Sequence, residues 1–244
     1  MKIITALLFV IVTFYASVLP VYASEDKEKR IRDQFKEIIE SRDPIAIWTL
    51  ARHPYTPKEI LVELSRDEGE WSNARRGVAN NPNAPKNILE RMAYDTDESV
   101  RFNVGNNPNT PANVLEKLAQ DKSNHVRSSV ASNPKVSKRA VSYLSKDADD
   151  LVRMYIASNP NVAKEVLAEL SWDSVDIVLV QVGKNPNTPK NVLVKLSSHE
   201  YFAVRLSVGS NPKTPKEVLL RLMEAKGENE LMRRTILENP AFRR

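Results

Sequence analysis

Two charged residue types recur along this chain at a spacing that invites chemistry. Aspartate stands at Asp67, Asp95, Asp121, Asp147 and Asp173, and arginine at Arg75, Arg101, Arg127, Arg153, Arg205 and Arg233. A carboxylate near a guanidinium is raw material for acid–base work or for anion binding. A catalytic carboxylate, however, is not copied from unit to unit, so the recurrence reads as a structural ladder. Its rungs pair each Asp with the Arg of the preceding unit: Asp121 with Arg101, Asp147 with Arg127, and Asp173 with Arg153. An exposed rung contributes only about 0–1 kcal/mol and sets register more than strength. Leu179 replaces one arginine and His199 the following aspartate, two losses on the same rung, while Ala225 stands opposite Arg205. The histidines His53, His125 and His199 are never three or four residues apart, and no Glu-x-x-His accompanies them, so no metal site is expected. There is no Gly-x-Ser-x-Gly, no phosphate-binding loop and no Gly-x-Gly-x-x-Gly. Cysteine is absent, which excludes thiolate nucleophiles, disulfides and iron–sulfur clusters. No cofactor is implied.

A ladder needs a repeated scaffold, and one dipeptide marks it. Asn-Pro occurs at Asn81, Asn107, Asn133, Asn159, Asn185 and Asn211, each 26 residues after the last. A further copy at Asn239 follows after 28 residues, and His53-Pro54 stands 28 before the first. Self-similarity at such a period marks stacked supersecondary units.

Within a unit the reading is helix, turn, helix. Thr110 is expected to be an N-cap with Pro111 at the first helical position. Thr56 with Glu59 and Thr214 with Glu217 have capping-box spacing. Lys135-Val136-Ser137 and Asn161-Val162-Ala163 lack Thr-Pro, so looser caps are expected there. Val114, Leu115 and Leu118 form one face of a first helix of about three turns. After Asp121 a shorter second helix presents Val126 and Val130, matched by Val152 and Ile156, Val178 and Val182, Val204 and Val208. Each recurring Asp is placed to cap it. A small residue follows in register (Ala79, Gly105, Ala131, Ala157, Gly183, Gly209), which lets backbones approach. Asn before Pro ends the helix, and its amide is expected to bond the local backbone. No strand pattern is present, and the fold class is all-α.

The motif Asn-Pro-Asn-Thr-Pro-x-x-Val-Leu-x-x-Leu-Ala-x-Asp followed by Val-Arg-x-x-Val-Ala resembles the leucine-rich repeat variant family across roughly residues 45–240. That resemblance implies a HEAT-like, armadillo-type architecture: a right-handed α-solenoid (superhelix) of about seven 26-residue two-helix repeats, the second helix often 3₁₀. It implies nothing about activity. The cysteine-bound iron–sulfur domain known in that family has no counterpart among these residues.

Residues 1–23 read as a signal peptide, with Lys2, an apolar run from Ile3 to Leu19 and cleavage after Ala23. The alternative is an inner-membrane anchor, and membrane contact is expected only in that case. Residues 24–44 read as an N-terminal capping helix with Ile31, Phe35, Ile38 and Ile39 on one stripe, and residues 45–244 as the repeat domain. The expected location is the periplasm or the extracellular space, which argues against nucleic-acid binding although the net charge is +5. The expected function is a non-catalytic, monomeric scaffold for an unknown protein partner. Candidate contacts are Arg101, Arg127, Arg153, Tyr155, Gln181 and Arg205, on the second-helix surface where residues vary between layers. Two alternatives are an anionic lipid or glycan binder using the arginine stripe, and an enzyme built from deviant residues such as His199, Trp172 and Asp176. Trp48, Trp71 and Trp172 read as packing residues, although Tyr94 and Trp172 share a repeat position suited to ligand stacking. Asp149-Asp150 reads as a solvated acidic pair.

Overall fold

The computed structural model describes residues 33, 35–41, 43–66, 72–225 and 229–243. The expected leader, Ile31, Asp67 and Trp71 lie outside the described residues. The described part of the capping segment is helical at residues 35–40, with Phe35 and Ile38 buried.

The chain divides into two compact units, Met1–Leu118 and Ala119–Arg244. In the first, helices α1 (Pro44–Arg52), α3 (Ser72–Asn80) and α5 (Glu98–Asn106) stack on one another. They alternate with α2 (Lys58–Leu64), α4 (Lys86–Met92) and α6 (Ala112–Leu118). In the second unit the stack is α7 (Asn124–Ser132), α9 (Asp150–Ser158), α11 (Asp176–Lys184), α13 (Phe202–Ser210) and α15 (Glu230–Glu238). Between them run α8 (Lys138–Leu144), α10 (Lys164–Leu170), α12 (Lys190–Leu196) and α14 (Lys216–Glu224), and α16 (Pro240–Arg243) follows. Both units are all-α helical-repeat solenoids.

The relative helix lengths reverse the expectation. The second helix of each repeat is a nine-residue α-helix and not a short or 3₁₀ turn, whereas the first helices, α14 apart, have seven residues. The core lies between these two sets. Val152 and Ile156, Val178 and Val182, Val204 and Val208 are fully buried, as are Leu167, Leu193 and Leu219 from the intervening helices. Each such side chain contributes about 1.5–3 kcal/mol.

The asparagine at each Asn-Pro does more than end a helix. Its Oδ1 accepts the N–H two residues on, as expected of a local turn: Asn161 N to Asn159 at 3.0 Å, Asn187 N to Asn185 at 2.8 Å. Its Nδ2 reaches instead into the previous layer. Asn185 Nδ2 donates to Ala157 O at 2.7 Å and Asn159 O at 3.0 Å. Asn211 Nδ2 donates to Gly183 O and Asn185 O, and Asn239 Nδ2 to Gly209 O and Asn211 O. In the first unit Asn81 binds Ala51 O and His53 O, and Asn107 binds Ala79 O and Asn81 O. These carbonyls close a nine-residue helix, where the helix itself supplies no donor. His53 fits the series because its Nδ1 accepts from Tyr55 N at 3.3 Å in the role of the amide oxygen. Burial, with the nearby Arg52 charge, pushes its pKa below 6.5 and favours the neutral ring that role requires.

The threonines also differ from expectation. Pro57, Pro189 and Pro215 occupy the N-cap positions with no side-chain cap, so the expected capping boxes do not form. Thr188 Oγ1 donates backwards to Val182 O and Thr214 Oγ1 to Val208 O at 2.6 Å. The hydroxyl is buried against the end of the preceding helix and serves the nearest orphan carbonyl. Where Thr-Pro is missing, Ser137 caps α8 through Ala140 N, a firmer start than expected, while Ala163 gives α10 no side-chain cap. The ladder aspartates precede the true caps: Asp147 Oδ1 accepts from Asp149 N, and Asp149, expected to be merely solvated, caps α9.

Two predictions follow from the packing. Replacing Asn185 with alanine orphans Ala157 O and the Asn187 N–H, takes one of two donors from Asn159 O, and is expected to cost about 2–4 kcal/mol. Asn185→Asp, which has no donor and brings a negative charge to a helix C-terminus, is expected to cost more; urea midpoints of the two variants check the order. A Cβ on Gly183 overlaps Ser207 Oγ and lies 3.0 Å from Ser207 Cβ, whereas at Gly209 the nearest atom is the flexible Met232 Sδ at 3.0 Å. Gly183→Ala is therefore expected to lower stability by about 1–3 kcal/mol. Gly209→Ala, helped by helix propensity of about 1 kcal/mol, is expected to melt at or above the wild-type temperature.

Candidate functional site

The nine-residue helices carry the residues that vary. At 100° per residue, positions 3 and 7 of such a helix point to the core, and positions 2, 5, 6 and 9 share an outer arc about 100° wide. In α9 that arc is Leu151, Met154, Tyr155 and Ser158; in α11 it is Ile177, Val180, Gln181 and Lys184. Position 4 holds the recurring arginine.

Those arginines turn back onto the protein. Arg127 Nε and Nη2 donate to Asp147 at 2.6 and 2.9 Å, and its Nη1 binds Asp121 O at 2.9 Å. Arg153 repeats this with Asp173 at 2.6 and 3.0 Å and with Asp147 O at 2.8 Å. Arg75 pairs with Asp95 at 2.7 Å in the first unit. Arg101 is only 6% exposed and donates to Asp95 O and Thr96 O, while Arg205 donates to His199 O and Glu200 O. The expected Arg127–Asp147 and Arg153–Asp173 rungs are therefore present, and each guanidinium also holds the loop before its own helix. Burial alone raises the Asp173 pKa, but the Arg153 hydrogen bond and charge and the Val175 N–H outweigh it and hold it below 3.8.

The deviant rung is rebuilt from other atoms. His199 Nδ1 accepts from Tyr201 N at 3.2 Å, in the aspartate's place, and its Nε2 lies 3.8 Å from Asp176 Oδ1. Leu179 is buried. Trp172 is distant in role from this pair: Lys195 Nζ stands 2.9 Å from its ring centroid and donates to Ser171 O. Lys117 covers Tyr94 in the same way at 3.7 Å. Each of these lysines thereby satisfies a helix-end carbonyl of the preceding layer. Among the described residues no group of three His, Asp or Glu side chains is placed to hold a metal.

Of the six residues singled out in the sequence, the four arginines are thus engaged internally, while Tyr155 is exposed and Gln181 half-buried. The surface around those two went unnoticed there. Leu151, Tyr155 and Ile177 are 46%, 38% and 42% exposed, and Met154, Ala203 and Leu206 are half-buried beside them in register. The available signal was a third and fourth apolar position in α9 and α11 that the repeat core does not need.

A search of solved structures finds this arrangement of helices. A structure described as a leucine-rich repeat variant with a novel repetitive protein structural motif aligns over 96% of this chain and 82% of its own, with 22% identity and a TM-score of 0.57. The chain has the fold of a leucine-rich repeat variant. That fold is a stack of two-helix repeats in which each layer packs on its neighbours. No family model matches the sequence, and no curated protein does.

The ladder makes a pH prediction. A carboxylate whose folded pKa lies below its unfolded value stabilises the fold above the unfolded value, and that stability is lost as pH falls through the folded one. Asp173→Asn is expected to cost about 1–3 kcal/mol at neutral pH, as for a hydrogen bond to a charged group. The difference from wild type is expected to shrink below about pH 4 and vanish in stronger acid, read from urea midpoints across pH.

Proposed function

We propose that this chain is an exported, non-catalytic scaffold of the bacterial envelope that binds a protein partner on the outer face of its nine-residue helices. The observation that carries this reading is the exposed apolar row on α9 and α11, formed by Leu151, Tyr155 and Ile177. The inward pair of each layer is fully buried, whereas these side chains leave 38–46% of their surface in solvent. Apolar side chains clustered at the surface mark interaction sites. The arginine stripe gives little support to an anionic lipid or glycan ligand, because its guanidiniums are committed to Asp147, Asp173 and loop carbonyls. Export rests on the leader-like first 23 residues and on the lack of cysteine. Membrane anchoring through that leader is the remaining alternative to a free periplasmic or secreted form.

A photo-crosslinking amino acid placed at Tyr155 in the native host tests the reading. It is expected to trap one discrete protein species from the envelope fraction, whereas the same probe at Lys138, on the exposed start of α8, traps none. Equal trapping at both positions, or a cytoplasmic location of the full chain, overturns the proposal. N-terminal sequencing of the exported form is expected to begin at Ser24.

A further inference from the structure

The apolar row has a charged border, and the border specifies the partner. In α9, α11 and α15 the first helical residue is acidic and the second is aliphatic and exposed: Asp150-Leu151, Asp176-Ile177 and Glu230-Leu231. With Asp147 and Asp173 neutralised by Arg127 and Arg153, four carboxylates outside the rungs remain across three successive layers (147–153, 173–179 and 199–205): Asp149, Asp150, Asp176 and Glu200. Arg153 is itself spent on Asp173, and Arg205 on loop carbonyls. A chain whose net charge is +5 therefore carries a negative edge along the N-terminal ends of these helices, beside its apolar row. The N-terminal carboxylates suit the helix dipole, which explains their place but not the aliphatic neighbours.

Resting on the scaffold reading above, we infer that this face takes an amphipathic, cationic helix of a partner protein, with its apolar stripe on Leu151, Tyr155 and Ile177 and its basic flank toward Asp150, Asp176 and Glu200. The spacing suits a helix laid across the layers. Stacked helices lie about 8–10 Å apart, and side chains seven residues apart on one helix recur every ~10.5 Å on the same face. One apolar residue of the partner thus meets each layer, and lysines or arginines on its flank meet one carboxylate per layer. Complementary charge of this kind fixes orientation and speeds encounter. An anionic membrane is disfavoured by the same edge, because like charges oppose one another there.

The test uses the full chain and a fluorescently labelled synthetic helix with leucines on one face and lysines along one flank, followed by anisotropy at two salt concentrations. The lysine helix is expected to bind saturably, and its glutamate-flanked counterpart at least about tenfold more weakly. Leu151→Ser with Ile177→Ser is expected to weaken binding about tenfold or more at both salt concentrations. Asp150→Asn with Asp176→Asn is expected to weaken it mainly at low salt and to flatten the salt dependence. Leu151 and Ile177 are well exposed, so the serine variant is expected to keep the wild-type melting temperature; the asparagine variant tests the site independently. Equal affinity for the two helices, unchanged binding in both variants, no saturable binding, or preferential binding to phosphatidylglycerol vesicles overturns the inference. A protein trapped at Tyr155 together with no binding of the lysine helix leaves the scaffold reading standing and removes this one.

Discussion

The asparagine amide between layers is the interaction on which the rest of this structure depends. A nine-residue helix ends with carbonyls that its own backbone cannot satisfy, and burying them unmet costs about 1–3 kcal/mol each. Around Asn185 the accounting closes with little to spare. Val182 O accepts from the Asn185 N–H and from the Thr188 hydroxyl, both in its own unit. Gly183 O and Asn185 O receive the two hydrogens of Asn211 Nδ2 from the next layer. Asn185 O also takes the Thr188 N–H of its own unit, so Gly183 O is the carbonyl that waits for the next layer, and a single repeat cannot finish its own helix. Stacking is therefore imposed by hydrogen-bond arithmetic as well as by apolar burial. It also explains why the small residue sits where it does: the amide can approach the carbonyl of Ala157 or Gly183 only where no large side chain intervenes.

The two ends of each long helix are managed by different chemistry, and the division has consequences for function. The C-terminal end uses a neutral amide, fully buried and tolerant of no charge. The N-terminal end uses the half-buried Arg–Asp rung, in which one guanidinium ties together its own loop and the next layer's aspartate. Both devices consume polar groups that would otherwise look like ligand contacts. Once they are set aside, the exposed part of the outer arc is the surface left over, and it is there that composition changes from layer to layer: His125 and Ser132 in α7, Leu151 and Tyr155 in α9, Ile177 and Lys184 in α11, Ala203 and Ser210 in α13.

Much of this was legible in the sequence, and what was not has a common cause. Periodicity and the inward valines specify the helices and the core because they depend on spacing alone. The Arg127–Asp147 and Arg153–Asp173 rungs were legible because a correlated loss, Leu179 with His199, pointed to them. Thr214 was misread and Asn185 only half read, because local rules assign a polar side chain to its nearest backbone. Thr214 binds a carbonyl six residues back, and the Asn185 amide, beyond its expected local bond, reaches carbonyls 26 and 28 residues back that become neighbours only when layers stack. The arginines were likewise taken for a surface stripe because sequence alone does not show that Nη1 folds back onto the preceding loop. The apolar row was overlooked for the opposite reason, since extra aliphatic residues in a helix pass for more core until their exposure is known.

The layer that breaks the ladder also carries Ile177 of the apolar row, and the two facts are physically linked. Removing the guanidinium at position 179 removes the positive charge that in other layers offsets the N-terminal carboxylates. His199 preserves the turn through Nδ1 in the aspartate's place. Asp176, with a side chain 48% exposed, then faces only an imidazole nitrogen 3.8 Å away. Leu179 meanwhile is buried where the other layers place a guanidinium. Negative charge and apolar area therefore lie side by side at α11, where Asp176 adjoins the exposed Ile177, so that an incoming cationic helix meets attraction and dry contact at the same place. Abandoning the rung gives up one Arg–Asp pair of a kind that is largely buried in the neighbouring layers, and it leaves Asp176 beside the exposed Ile177 without a guanidinium on its own helix.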